Sequence, residues 1–256
     1  MKTRNRWIFL ATMMLVTVMA SPLYAQAQAA KGTGVSKPLV LLLVLAALSM
    51  IPFILMMATS FVKMAVVLSL VRNALGTQQV PPNVVVTGLA LILTIYVMAP
   101  VGLQIYKVAG DVINQGTNQP LMSQASVELL TKAASLGKEP VRNFLLKHAH
   151  EQERKLFYSL SLEMRMKDNV SEDVSDNDFL NIIPAFVVSE LTEAFQIGFI
   201  LFLPFLVIDL VVANILLSLG MFQISPVTLS LPFKLLLFVM LDGWHLIVKG
   251  LVQGYI

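Results

Sequence analysis

Six ionisable side chains lie inside apolar segments of the sequence, where a charge is costly to keep. Two are lysines and four are carboxylates: Lys63, Lys234, Glu190, Glu193, Asp209 and Asp242. An isolated charge inside a bilayer costs several kcal/mol, and such residues normally pair with one another or face protein or water. We therefore predict that the two lysines neutralise carboxylates of this set, within one subunit or between subunits.

The two glutamates predict close contact between helices. Glu190 and Glu193 lie three residues apart, so a helix presents both on one face. Ala194 and Gly198 continue this face and form a small-xxx-small pattern, which lets a neighbouring helix approach closely. As an alternative, both glutamates lie at the water interface, at the Asn181 end of the segment.

The same acidic residues raise the question of catalysis. Two aspartates in separate apolar segments suggest an intramembrane aspartyl protease, in which neighbouring carboxyls share a proton. However, Asp242 lacks the glycine two positions earlier that such enzymes carry, and Asp209 has no adjacent tyrosine. His148 and His150 are two residues apart, so a helix cannot present them as a metal-binding i,i+4 pair. The sequence therefore predicts no enzymatic activity, no cofactor and no metal site.

The composition places these residues in a membrane protein. Hydrophobic residues make up 57% of the chain, mean hydropathy is +0.77 and only 13% of residues are charged, compared with about a quarter in soluble domains. Of the 33 charged residues, 20 fall within 107–178, and eleven of those are acidic. Because this polar region has no basic excess, it does not predict nucleic-acid binding. The chain contains no cysteine, which excludes disulfides and thiolate chemistry.

The N-terminal segment predicts a signal peptide at residues 1–27. Three basic residues precede a short apolar run at 7–18, and Ala25-Gln26-Ala27 fits a cleavage site. An uncleaved N-terminal anchor is the alternative. Residues 28–37 are small and polar, and we expect them to form a flexible lead-in.

Four hydrophobic blocks predict an all-α, membrane-associated fold of broken and kinked helical hairpins. The first half, 38–106, holds blocks 38–71 and 84–106, and the second half, 182–256, holds blocks 182–221 and 227–252. Blocks one and three exceed the length that a bilayer requires. Prolines are expected to break both of these blocks: Pro52 in the first, and Pro184 and Pro204 in the third.

Between the two halves, residues 107–181 predict a polar, helical, extracytoplasmic insertion. We expect a short helix over Ser123–Ala134, then a stronger one that begins at Pro140, a favoured first helical residue, and reaches about Met166. The acidic stretch Asp168–Asp178 predicts a mobile loop.

Several long strings together resemble one protein family. They are residues 59–63, 72–83, 184–186, 189–191, 194–199, 204–210, 232–234 and 242–244. These strings are similar to the FliP/SctR family, the export-gate proteins of bacterial type III secretion, from about Pro38 to Tyr255. Residues 96–102 and the Gln78-Gln79 pair look more like the injectisome branch, whereas a cleavable signal peptide is more usual on the flagellar side. We favour the injectisome.

The resemblance implies a function that composition does not supply. It implies a core pore-forming subunit of the export gate, which conducts unfolded proteins across the bacterial inner membrane into the secretion channel. It further implies a ring of five copies, assembled with SctS/FliQ-type and SctT/FliR-type subunits at the base of the apparatus. The resemblance implies that the energy for export is supplied elsewhere in the apparatus, so this subunit needs no catalytic residue. The polar middle region is then expected in the periplasm.

The resemblance also implies a pore gasket in the loop after Gly220. The family has a methionine-rich loop there, of which only the first position matches in Met221, Phe222, Gln223 and Ile224. Methionine can seal around variable shapes, and the apolar Phe222 and Ile224 can form a hydrophobic constriction. An ordinary interhelical turn is the alternative for this loop. For the whole chain, the alternatives are a small-molecule or ion transporter with Asp209 and the lysines as a relay, and an assembly scaffold with no pore role.

Overall fold

The structure is a computed structural model that describes most of the chain. It covers residues 52–54, 56–77, 80–115, 124–168 and 175–256, and single residues at 42, 45, 46, 49 and 50; the side chains of 111–115, 124–131, 134 and 168 lie outside this description. The predicted signal peptide, the lead-in and most of block 38–51 lie outside the described residues. The chain divides into two units, Met1–Pro52 and Phe53–Ile256. The few described residues of the first unit are helical, and the fold below is that of the second.

Every regular element among the described residues is an α-helix, in agreement with the predicted all-α class. In chain order the helices are α1 (Phe61–Ala74), α2 (Asn83–Gln115), α3 (Gln124–His148), α4 (Glu151–Asp168), α5 (Phe179–Ser218), α6 (Pro226–Met240) and α7 (Gly243–Gln253).

Helix α5 is the centre of the packing and contacts α1, α3, α4 and α6. Its most extensive interface is with α1, which buries a stripe at i, i+3, i+4 and i+7 spacing: Met64, Val67, Leu68 and Val71. On α5 the same core cluster includes Ile182, Ala185, Phe186 and Ala194, all fully buried. This apolar stripe fixes the face of α1 that meets α5, and hence where Lys63 points.

The prediction that prolines break the third hydrophobic block was wrong. Helix α5 continues for 40 residues through both Pro184 and Pro204. An internal proline removes one intrahelical hydrogen bond, but α5 also packs against α1, α3, α4 and α6. Pro204 lies near Val71 of α1 and Leu237 of α6, since all three line one small apolar cavity.

The last hydrophobic block, expected as one run over 227–252, is broken instead. Helices α6 and α7 meet at a bend of 61°. Asp242 at the bend has φ +50°, a left-handed conformation, and a Cβ on Gly243 would lie 2.4 Å from a ring carbon of Phe238. The break therefore depends on a close approach at glycine, which hydropathy does not reveal.

The middle region divides at a different point from the predicted one. Helix α3 runs through Pro140 to His148, and α4 begins only at Glu151. The backbone N–H of His150 donates to Ser189 Oγ of α5 at 2.8 Å. At the same point the carbonyl of His150 accepts from the N–H of Arg154 at 3.0 Å, which starts α4. The side chain from α5 thus sets the boundary. Residues 169–174 of the expected loop lie outside the described residues.

Two helices of the described chain are long and apolar enough to cross a membrane, and a third span is made if α6 and α7 count as one bent segment. The two long helices are Asn83–Gly110 of α2 and the whole of α5. The length and composition of these helices are typical of membrane proteins.

Candidate functional site

The side chain of Lys63 extends from α1 towards two glutamates of α5. Its Nζ lies 2.6 Å from Glu193 Oε2 and 3.2 Å from Glu190 Oε1. The exposed fraction is 2% for the Lys63 side chain, 0% for Glu190 and 34% for Glu193. Glu190 thus lies away from solvent, unlike in the interfacial alternative, whereas Glu193 lies at the edge of the buried region.

Two further side chains complete this group. The hydroxyl of Tyr255 donates to Glu190 Oε2, and the ammonium of Lys63 lies 4.3 Å from the centroid of the Tyr255 ring, within cation–π range. His150 Nε2 lies 2.7 Å from Glu193 Oε1. We call Lys63, Glu190, Glu193, His150 and Tyr255 the Lys63 cluster. It joins α1, α5, the α3–α4 link and the residues after α7.

The chemistry of the Lys63 cluster is that of charge compensation. Removing an ion from water costs several kcal/mol, and the attraction within a buried pair offsets this cost only when further hydrogen bonds satisfy the remaining lone pairs. Here Tyr255 and His150 supply such bonds to the two carboxylates. The cluster is therefore suited to holding helices in register.

A second group forms around Lys234 of α6. Its Nζ lies 2.6 Å from Asp209 Oδ2 of α5, and the Ser230 hydroxyl donates to Asp209 Oδ1. The same ammonium donates to the carbonyl of Ala74 at 3.4 Å, where the C-terminal end of α1 carries partial negative charge. The Lys234 side chain is 3% exposed and Asp209 is 22% exposed. We call Lys234, Asp209 and Ser230 the Lys234 cluster.

Asp242, the sixth of the predicted residues, lies apart from both clusters. It is exposed, and its carbonyl accepts the N–H of Leu246 at 3.1 Å, in the first turn of α7. Among the described residues it forms no ion pair, and it shares no hydrogen bond with Asp209, so the two aspartates do not form a proton-sharing dyad. The part of the chain that the structure describes also holds no group of three acidic or histidine side chains suited to a metal ion.

The small residues of α5 lie against α1. Ala194 is fully buried, and a Cβ added to Gly198 would lie 2.3 Å from Leu70 Cδ1 and 3.2 Å from Leu70 Cβ. The glycine therefore permits the close approach of α1 to α5 one turn beyond Glu193.

The loop 221–224 forms the tip between α5 and α6. Gly220 has φ +72°, and its N–H donates to Leu217 while the N–H of Met221 donates to Leu216 at 2.9 Å. This is the Schellman arrangement that ends a helix at glycine. All four loop residues are exposed, so their side chains are free to meet other protein or a pore.

Comparison with known proteins decides the family. Residues 44–251 match the FliP family. The chain belongs to the FliP family. It is 50% identical over 217 residues to Yop proteins translocation protein R of Yersinia pestis, covering 84% of this chain and 95% of that protein. It is 43% identical over 222 residues to flagellar biosynthetic protein FliP of Bacillus subtilis, covering 87% and 94%.

A third relative is the virulence protein YscR of Salmonella typhimurium, 43% identical over 218 residues, which cover 85% of this chain and 97% of that protein. FliP-family proteins are components of the type III secretion export apparatus, which confirms the predicted family and function class and disfavours the transporter alternative. The relative at 50% identity supports the injectisome branch. None of these names describes an enzyme.

Sequence reasoning missed three members of the clusters: His150, Tyr255 and Ser230. None of them is a charged residue inside an apolar run, which is the feature that singles out the other members of the clusters. Nearby, the ring of His148 packs between those of Phe144 and Tyr255, with centroids 4.8 and 4.9 Å away. Burial, together with the nearby charges of Lys147 and Lys63, lowers the pKa of His148 from 6.5 to about 4.

Proposed function

We propose that this chain is a core pore-forming, non-enzymatic subunit of the type III export gate, in the injectisome, which conducts unfolded proteins across the bacterial inner membrane. The observation that carries this proposal is the α5–α6 hairpin. The 40-residue α5 and the 15-residue α6, both with exposed apolar side chains, flank an exposed loop at 221–224. A hairpin of this kind needs other protein or lipid along its sides, and its tip is free to face a channel.

The exposed faces of α5 and α6 support an oligomer. Large apolar side chains are exposed along both helices, among them Phe199, Ile200, Leu236 and Val239. Contiguous apolar surface of this extent marks protein–protein or membrane contact. We propose a ring of five copies with SctS/FliQ-type and SctT/FliR-type subunits, as the family resemblance implies, at the base of the secretion apparatus.

The proposed organisation keeps the divisions expected from the sequence. Residues 1–27 are a signal peptide, 28–37 a flexible lead-in, 38–106 and 182–256 two hydrophobic halves with four blocks, and 107–181 a helical region in the periplasm. Confinement of most charge to the middle region supports this division, because charged side chains are costly in the hydrocarbon core.

The buried ion pairs act in this proposal as structural contacts. The Lys63 cluster and the Lys234 cluster fix α1 and α6 on α5, and Ala194 with Gly198 lets α1 and α5 approach closely. Asp242, exposed and without an ion-pair partner among the described residues, is assigned to a contact with a neighbouring subunit. No role here requires chemical turnover.

The gasket role of the loop is tested by ion leakage through the assembled gate. We expect the double variant Met221→Gly with Phe222→Gly to raise conductance for small ions, because it removes the two largest apolar side chains of the constriction. Met164→Gly with Met166→Gly, on the exposed face of α4, serves as the matched control and should leave conductance unchanged. An unchanged leak in the loop variant, in a complex shown to be assembled, contradicts the gasket and favours an ordinary turn.

The transporter and scaffold alternatives are separated by two simple measurements. A transporter would act when this chain is expressed without the two partner subunits, whereas an export-gate subunit should be unstable and inactive without them. A scaffold with no pore role would tolerate loop substitutions with secretion intact.

A further inference from the structure

A groove of about 590 Å³ lies between α2 and α7, outside both ion clusters. Helix α2 contributes Ile92 and Tyr96 to its wall, and α7 contributes Val248. The wall is apolar except for a basic edge at His245 and Lys249 of α7, and no carboxylate lines it. Lys249 is exposed and forms no ion pair among the described residues. Unlike the lysines of the two clusters, it has no acid of its own fold to neutralise it.

The corner between α6 and α7 has the complementary properties. The two helices meet at 61°, and Asp242 lies at this corner, exposed and without an ion-pair partner in the part of the chain that the structure describes. The three residues before it, Val239, Met240 and Leu241, are apolar and exposed. We call residues 239–242 the elbow. The elbow is an exposed apolar corner with one unpaired acid, whereas the groove is an apolar depression with an unpaired base.

The positions of the acid and the base suit contact between two copies placed head to tail. Asp242 precedes α7 and Lys249 lies seven residues further along, about 10 Å at 1.5 Å per residue. In a head-to-tail arrangement, the acidic end of one copy meets the basic part of the next. Such contacts use two different surfaces of the same chain and close into rings. The exposed apolar residues of the elbow also need cover, since large apolar patches mark contact with protein or membrane.

We propose that the elbow of one copy docks in the groove of the next copy of the ring, with Asp242 of one chain paired with Lys249 of its neighbour. This inference rests on the proposed ring and adds the surfaces through which its copies meet. The partner subunits and residues 38–51 are the competing occupants of the groove. The second copy is favoured because the unpaired acid and the unpaired base belong to the same chain, so that one repeated contact neutralises both.

Charge reversals in the complex with both partner subunits test the pairing. Asp242→Lys and Lys249→Asp should each lower the yield of assembled gate about tenfold or more, because like charges then face each other between copies. The double variant should assemble better than Asp242→Lys alone, since every contact regains opposite charges. As the matched control, Lys107→Asp changes an exposed lysine of α2 outside the groove and should assemble as the unchanged protein does.

The same series separates the pairing from an effect on α7 alone. An acid before a helix and a base in its second half both interact favourably with the helix dipole. If Asp242 and Lys249 act only in this way, the double variant should assemble worse than Asp242→Lys. A double variant that assembles no better than Asp242→Lys overturns the proposal, and so does unchanged assembly in both single variants.

Disulfide formation locates the contact. The chain contains no cysteine, so Asp242→Cys with Lys249→Cys introduces its only two thiols. A disulfide needs Cα atoms within about 7 Å, less than the separation of these positions along one chain, so a link between them joins two copies. Oxidation of the purified complex should give covalent multimers of this chain with a disulfide between positions 242 and 249, identified by mass spectrometry of the linked peptides. Either single variant should stay monomeric.

The outcomes distinguish this docking from the proposed function. An assembled ring without the link between positions 242 and 249 overturns the docking and leaves the ring intact. Dimers from a single-cysteine variant also overturn it, because they indicate a two-fold contact instead of a head-to-tail one. Failure of the unchanged chain to form a ring with both partner subunits would contradict the proposed function itself.

Discussion

The Lys63 cluster and the Lys234 cluster both hold a lysine that is almost inaccessible to solvent, but they differ in the acids around it. Lys63 faces two carboxylates, one of them fully buried, with His150 and Tyr255 bonded to the acids. Lys234 faces one partly exposed carboxylate and the end of a helix. The first joins four segments of the chain, and the second joins α5, α6 and the end of α1.

This difference indicates which of the two clusters contributes more to the stability of the protomer. Removing one member of a buried pair leaves the other without compensation. Substitution of Lys63 leaves the fully buried carboxylate of Glu190 without its cation. Substitution of Lys234 leaves the carboxylate of Asp209 without its cation, but this carboxylate is partly exposed to solvent. The Lys63 cluster should therefore stabilise the fold more than the Lys234 cluster.

The largest expected effect is that of Lys63→Met. We expect the free energy of unfolding to fall by about 3–5 kcal/mol, because two carboxylates lose their cation and one of them is fully buried. The measurement is unfolding of the detergent-solubilised complex with its partner subunits, followed by tryptophan fluorescence. Lys107→Met, an exposed lysine, is the control.

Adding Glu190→Gln and Glu193→Gln to Lys63→Met should recover much of that loss, since no uncompensated charge remains. If the triple variant is as unstable as the single one, the Lys63 cluster does not act through charge compensation.

A smaller effect is expected for Lys234→Met, a loss of about 1–3 kcal/mol, because Asp209 can keep a hydrogen bond to Ser230 and some solvent contact. The charge-reversed pair, Lys234→Asp with Asp209→Lys, should restore assembly that either single reversal abolishes. A Lys234→Met variant less stable than Lys63→Met would reverse the ranking of the two clusters.

The smallest expected effect is a pH dependence of stability that arises from His148, beside the Lys63 cluster. The pKa of His148, beside Tyr255 of the Lys63 cluster, is lowered from 6.5 to about 4, so the folded state binds fewer protons than the unfolded state between these values. Its contribution to stability is present above pH 6.5 and is lost as pH falls towards 4. We expect His148→Phe to show a weaker fall in unfolding temperature between pH 7 and pH 5 than the unchanged protein. Equal falls in both proteins would contradict this.

The sequence was sufficient to single out the charged residues but not all of their partners. The cost of a charge in an apolar run identified Lys63, Glu190 and Asp209 without any structure. Tyr255 and His150 were missed because their partners lie 65 and 43 positions away. Such contacts depend on how whole helices pack, which local patterns do not contain.

Helix breaks show the same limit. Pro184 and Pro204 predicted helix breaks and Pro140 predicted a helix start, but each lies inside a continuous helix. The actual bend at Gly243 depends on the ring of Phe238, five residues earlier. The break at His150 depends on the hydroxyl of Ser189, on a different helix. Local propensity therefore predicts helices well here and their ends poorly.

The central claim is that this chain is an obligate subunit of an export gate, whose exposed apolar helices are covered by other copies and by partner subunits. The most direct test is to purify the full chain after co-expression with its SctS/FliQ-type and SctT/FliR-type partners and to measure the mass of the intact complex. The account predicts one assembly that contains five copies of this chain with both partners. A stable, lone monomer that ignores both partners would contradict it.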